Sequence, residues 1–249
     1  MHEGLSTYLT KHKDDIEGHY KWQFDESLPQ KRFGFSFSGK TPFQKTLELK
    51  RQLAEAVRKA RNVETKVRLA DYFIKDWGGI RRFSHTEKMV SSLDALIASK
   101  APPKGAQFPY ENISSWSKWL SVICPDWAPI YDARVAYSLN GINFLQGGLS
   151  KAFPIPTGRN TKTALIDTST LVVMARLSKG PDSKNEDIGS AHYWRPNEVY
   201  SQYLSSIRTT HQQLWREKPI VYTEALLFAL ADTVIFSDVV KRLSGSRGN

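Results

Sequence analysis

The stretch SSWSKWLSVICPDWAPIYDARVAYSL, residues 114–139, decides how the chain is read. With the preceding Ile113, it places Trp116, Leu120 and Ile123 at helical spacing, and Lys118 and three serines fill the positions between. CPDWAP then interrupts the helix with two prolines. IYDARVAYSL opens a second helix whose apolar residues are Ile130, Val135, Tyr137 and Leu139. Asp132 falls in the first turn of that helix or caps it, where the helix dipole and unpaired backbone N–H groups favour negative charge. Aspartate is a common cap, so the position is also compatible with a purely structural role.

Outward from this pair the pattern stays helical. TPFQKTLELKRQLAEAVRKARN starts with Thr41 as cap and Pro42 at the first helical position, and carries Leu47, Leu53, Ala54 and Val57 on one face with a basic face opposite. ETKVRLADYFIKDWGGI directs Val67, Ala70, Phe73, Ile74 and Trp77 toward a core and ends at Gly78 and Gly79. SHTEKMVSSLDALIAS opens with a capping-box pattern, Ser84 to Glu87. Residues 141–162 read as loop, 163–178 as helical or mixed, and GPDSKNEDIG as a polar surface loop. Two long amphipathic helices close the chain. Residues 1–40 read as an N-terminal arm or small subdomain, with KRFGFSFSGK as a short strand or extended arm. The expectation is a mostly α protein of about eight helices with little or no sheet, forming a single domain over residues 1–249 with a groove.

The formal net charge is +10, which favours polyanionic partners or a merely soluble, lysine-rich surface. Between Asp132 and Asp167 there is no acidic residue, while Arg134, Lys151, Arg159 and Lys162 fall in that span with Gly141, Gly147, Gly148 and Gly158. Spaced cations with glycines suit an anionic backbone lying across them. A single cysteine, Cys124, excludes an internal disulfide framework and fits a buried structural thiol better than a nucleophile. No run approaches the roughly 18 apolar residues of a membrane span, and the first twenty residues carry His, Lys, Asp and Glu in place of a signal-peptide core. A cytoplasmic protein with no membrane partner is expected. Phosphate-loop, dinucleotide, HExxH and GxSxG patterns are all missing from the sequence, so no metal cluster and no organic cofactor is implied.

A short helix, a proline-containing turn and an apolar–Asp–x–x–Val helix start resemble the core of the helix-hairpin-helix DNA glycosylases. The resemblance spans about thirty of the 249 residues. It implies that Asp132, in YDARV, faces a flipped nucleotide, and that Lys118 is the candidate for the lysine of members that also cleave the strand. The sequence departs from the pattern in two places: NISSWSK stands where a glycine-rich hairpin is usual, and the lysine-to-aspartate spacing is a short fourteen. The chain is also similar to bacterial anti-phage glycosylases that remove glucosylated hydroxymethylcytosine from phage DNA.

The resemblance implies a DNA N-glycosylase that flips out and excises a modified base from double-stranded DNA. The alternative is a non-catalytic DNA- or RNA-binding protein. Asp132 would stabilise the cationic sugar; for Lys118 a phosphate contact ranks first, ahead of a solvated surface lysine and of Schiff-base chemistry. Ser114, Ser115, Ser117, Arg134, Arg81, Arg82, Arg159, Asn160 and Lys162 are candidate DNA contacts. Arg159 and Asn160 fit a rigid surface turn equally well. Trp116, Tyr131 and Trp77 are candidate base-pocket rings, with core packing as the plainer reading of each. Glu224, an acid on an apolar face near a helix start, is either a pocket residue or a partner of the helix dipole.

Overall fold

A computed structural model describes residues 2–157, 162–177, 190–215 and 217–245. The α-helices among them are α1 (His2–Thr10), α2 (Ile16–His19), α3 (Ser27–Phe33), α4 (Pro42–Lys59), α5 (Val63–Asp71), α6 (Thr86–Leu93), α7 (Ile113–Ile123), α8 (Ala133–Leu145), α9 (Thr168–Leu177), α10 (Val199–Leu214), α11 (Val221–Leu230) and α12 (Phe236–Leu243). The described residues hold no strand, only an isolated bridge between Ala152 and Tyr193. The mostly α expectation stands, with more helices than the sequence reading counted. None of the described helices is long and apolar enough to cross a membrane.

The extra helices lie in the first forty residues. Leu5, Tyr8 and Leu9 of α1 and Ile16 of α2 join one contiguous core that extends to Val239 in α12. KRFGFSFSGK is not a strand: α3 runs through Phe33 and ends at Gly34, whose φ of 73° a glycine adopts without a Cβ clash. The extended residues that follow have no neighbouring strand. Side chains of α4 take its place: Gln52 accepts the Ser36 amide, Glu48 those of Ser38 and Gly39, and Gln44 that of Lys40.

α4 begins as its sequence dictates, with the Thr41 hydroxyl accepting the Gln44 amide at 3.3 Å. The basic-face reading of α4 needs one correction, because Lys50 is buried at 8 % exposure. α5 runs on into a π-helical stretch, Tyr72–Trp77, that halts at Gly78. The capping box of Ser84 and Glu87 does not form. His85 occupies the cap position without a side-chain bond, and the Thr86 hydroxyl instead donates to Asp71, tying α6 to α5. α8 continues past Gly141, where a loop was expected. A Cβ on Gly141 would lie 2.8 Å from Cγ2 of Ile235, so glycine here permits close approach of a second π-helical stretch, Ala231–Ile235. The expected surface loop GPDSKNEDIG lies outside the described residues.

Candidate active site

α7 and α8 meet at a turn whose backbone is held almost group by group. Tyr200 donates its hydroxyl to the Pro129 carbonyl at 2.9 Å, and Tyr203 donates to the Ile130 carbonyl. The Ile130 amide donates to Glu224 Oε2 at 2.8 Å, and the Tyr131 amide to Ser117 Oγ at 3.0 Å. Ser117 in turn donates to the Tyr131 carbonyl. Buried backbone groups bound this fully leave the next residue little freedom. That residue is Asp132, whose Oδ1 accepts the Val135 amide at 3.0 Å and caps α8. The segment after α8 is pinned beside it: Asn140 exchanges two 2.8 Å hydrogen bonds with the Phe153 backbone, and Tyr131 donates to the Pro154 carbonyl.

Asp132 lines an outer recess of about 400 Å³ together with Lys118, Ser114, Arg134, Arg81 and Arg82. A smaller inner pocket of about 40 Å³ is lined by Lys118 and Asp132 with Tyr20, Trp22, Trp77, Glu224 and Phe228. Lysine and aspartate, fourteen residues apart, thus share two adjoining cavities. Lys118 is 5 % exposed, and its amine donates to the Ser114 carbonyl at 3.2 Å. Among the described residues it has no carboxylate within ion-pair distance. Burial pulls its pKa below the ordinary 10.5, and the nearby Lys50 acts in the same direction while Asp132 and Glu224 oppose it. Gly78 packs directly on this side chain. A Cβ there would lie 2.7 Å from Lys118 Cδ and Cε, and 2.7 Å from the Ile74 carbonyl oxygen.

Behind the aspartate, Lys50 and Glu224 form a buried pair at 3.5 Å. Burial raises the Glu224 carboxyl above its ordinary range and lowers the Lys50 amine, each opposed by the partner's charge. The inner wall is aromatic. Trp22 meets Trp77 edge-on with centroids 6.2 Å apart, Phe228 meets Trp22 edge-on at 5.6 Å, and Trp77 stacks on Phe73. Arg134 lies 4.7 Å over the Phe228 ring and pairs with Asp232 at 2.9 Å. The first π-helical stretch ends at Trp77, in the wall of the inner pocket, and the second holds Asp232, the partner of Arg134.

The candidate residues from the sequence divide clearly. Lys118, Asp132, Ser114, Arg134, Arg81 and Arg82 line the outer recess, and Trp77 lines the inner pocket. Ser115 and Ser117 are buried, and Ser117 serves the turn, so neither is placed to meet a phosphate. Trp116 stacks on Phe108 and donates its indole N–H to the Pro109 carbonyl, in a separate aromatic cluster with Tyr200. Tyr131 is buried against Tyr203 and lines neither cavity. Lys162 is exposed and donates to the Asp232 carbonyl at 3.4 Å, near the partner of Arg134. Arg159 and Asn160 lie outside the described residues.

Trp22, Tyr20, Phe228 and Lys50 were not singled out by sequence. Lys50 left a signal: Phe43, Thr46, Lys50, Leu53 and Val57 form one helical stripe, and every member is buried. Cys124 is fully buried, its thiol bonded to the Leu96 carbonyl. Among the described residues no cluster of His, Cys, Asp or Glu is placed to hold a metal ion. No family model matches the chain, and no curated protein or solved structure matches it.

Proposed function

We propose that this protein is a DNA N-glycosylase that excises a modified base through the Lys118–Asp132 pair. The carrying observation is the convergence of a buried, carboxylate-free amine and a helix-capping carboxylate on one recess bordered by exposed Arg81 and Arg82. The resemblance to helix-hairpin-helix glycosylases assigns the same two residues.

A flipped nucleotide enters the recess, and its phosphates meet the arginines outside. As the base departs with the electron pair of the glycosidic bond, positive charge grows on the sugar. The Asp132 carboxylate stabilises that charge. Burial favours the neutral form of Lys118, which leaves its lone pair available to attack C1′. The amine then loses a proton as the sugar ring opens to an iminium, and the ring oxygen gains one. At 5 % exposure Lys118 is better suited to this role than to a phosphate contact. The finer reading, from the resemblance, is that the target is glucosylated hydroxymethylcytosine in phage DNA.

The test is incubation with duplexes carrying normal, damaged or phage-modified bases, followed by mass spectrometry of the released bases and borohydride trapping on a pre-formed abasic duplex. Release of one modified base and a trapped adduct that needs Lys118 are expected. Duplex binding with neither release nor adduct across the panel would favour a binding protein without chemistry.

A further inference from the structure

Resting on the glycosylase reading, we propose that the inner pocket is a base-reading site in which Glu224 accepts one N–H from the edge of the flipped base and the indole N–H groups of Trp22 and Trp77 donate to acceptors on that edge. The glycosylase chemistry itself does not require these groups, since the sugar is served by Lys118 and Asp132.

Three observations carry the assignment. First, Glu224 is only 6 % exposed yet lines the pocket. Its Oε2 takes both protein partners, the Ile130 amide at 2.8 Å and the Lys50 amine at 3.5 Å. Neither bond uses Oε1, so one acceptor remains for a ligand donor. Second, Trp22 Nε1 and Trp77 Nε1 are buried donors without a hydrogen-bond partner. Buried polar groups are nearly always paired, and two orphaned donors on residues lining one cavity point to an acceptor-bearing occupant. Third, the walls are rings. Tyr20, Trp22, Trp77 and Phe228 suit a flat, aromatic guest better than a flexible one.

The dimensions set the substrate class. A volume of about 40 Å³ admits the edge of a ring and leaves no room for a bulky group on that edge. The outer recess, ten times larger at about 400 Å³, is where a substituent on the opposite edge would lie. The pocket therefore suits a base that carries an N–H donor and acceptors together on its inner edge, with any large modification directed outward. Lys50 has a supporting part: it neutralises the carboxylate and occupies Oε2, which fixes the direction in which Oε1 is offered.

The experiment compares full-length wild type, Glu224→Gln and Trp22→Phe on the same panel of base-bearing duplexes and on a pre-formed abasic duplex, with folding checked by circular dichroism and thermal melting. The abasic duplex has no base to read. Base release by Glu224→Gln should therefore fall at least tenfold more than its borohydride trapping falls. Trp22→Phe keeps an aromatic ring and removes one donor, so a smaller selective loss in release is expected, about threefold or more. Wild-type release by Glu224→Gln on every base would overturn the inference and leave the glycosylase reading intact. If Glu224→Gln does not fold, Trp22→Phe decides, and a wild-type rate there overturns the inference. Wild-type protein that neither releases a base nor traps on abasic DNA removes the underlying reading instead.

Discussion

The carboxylate of Asp132 both accepts the Val135 amide and lines the recess, so its capping role and its proposed chemical role fall on one side chain. Asparagine caps helices about as well as aspartate does, whereas alanine loses about 1 kcal/mol at such a site. Asp132→Asn should therefore melt close to wild type and still bind duplex, while base release falls on the order of 10²-fold or more. Release unchanged in that variant would separate Asp132 from the chemistry. Lys118 makes a pH prediction. Its folded pKa is below the ordinary 10.5, so the neutral amine is available at lower pH than for a free lysine. Trapping on an abasic duplex should rise with pH and level off before 10.5; a rise that continues beyond that value would contradict the assignment. The linkage has a definite sign. Between the lowered folded value and 10.5 the unfolded chain binds more protons, so this group's contribution to stability increases as pH rises through that window. Asp132 and Lys118 were legible in the sequence because one follows a proline turn at a helix start and the other interrupts an apolar helix. Trp22 and Phe228 were not, because their partnership spans 206 positions and neither has a local pattern that marks it.

At the scale of elements, the end of the π-helical stretch Tyr72–Trp77 governs where the Lys118 side chain lies. Two adjacent glycines there have different reasons to be glycine. Gly79 has φ of 70°, and a Cβ added to it would meet nothing within 4 Å, so its requirement is backbone conformation. Gly78 has φ of −83°, which any residue adopts, and its requirement is space. Gly79→Ala should cost about 1–2 kcal/mol in the left-handed region, read as a lower melting temperature with Lys118 undisturbed. Gly78→Ala brings a methyl within 2.7 Å of Lys118 and of the Ile74 carbonyl. Its expected signature is a loss of borohydride trapping, about tenfold, while duplex affinity is kept. Equal trapping in the two variants would mean that Gly78 does not position the amine. The sequence marked both glycines as a helix end and missed the difference, because the second requirement comes from α7, forty residues downstream. Ser84 and Glu87 failed in the reverse way. Their local capping pattern was sound, but helix α6 instead begins where the Thr86 hydroxyl can bond Asp71 of α5.

For the whole molecule, the net charge of +10 becomes informative once the recess is located. Arg134, a candidate DNA contact in the acid-free segment, is paired with Asp232 and lies over Phe228, so much of its charge is already answered. Lys162 lies beside the same aspartate. Arg81 and Arg82 differ: both are exposed, line the outer recess, and make no ion pair among the described residues. Among the described residues, the exposed unpaired cations at the recess therefore come from the WGGIRR segment. Each phosphate neutralised by such a residue releases counterions, so the logarithm of duplex affinity should fall linearly with the logarithm of salt concentration. Arg81→Ala and Arg82→Ala should each reduce the magnitude of that slope by about 1, and should weaken binding to modified and unmodified duplexes alike. Asp132→Asn should leave the slope in place, because it carries no phosphate contact. Fluorescence anisotropy with a labelled duplex from low to moderate salt measures all three. A double arginine variant with an unchanged slope would place the duplex on another face, and the recess would then have no phosphate-bearing substrate to receive.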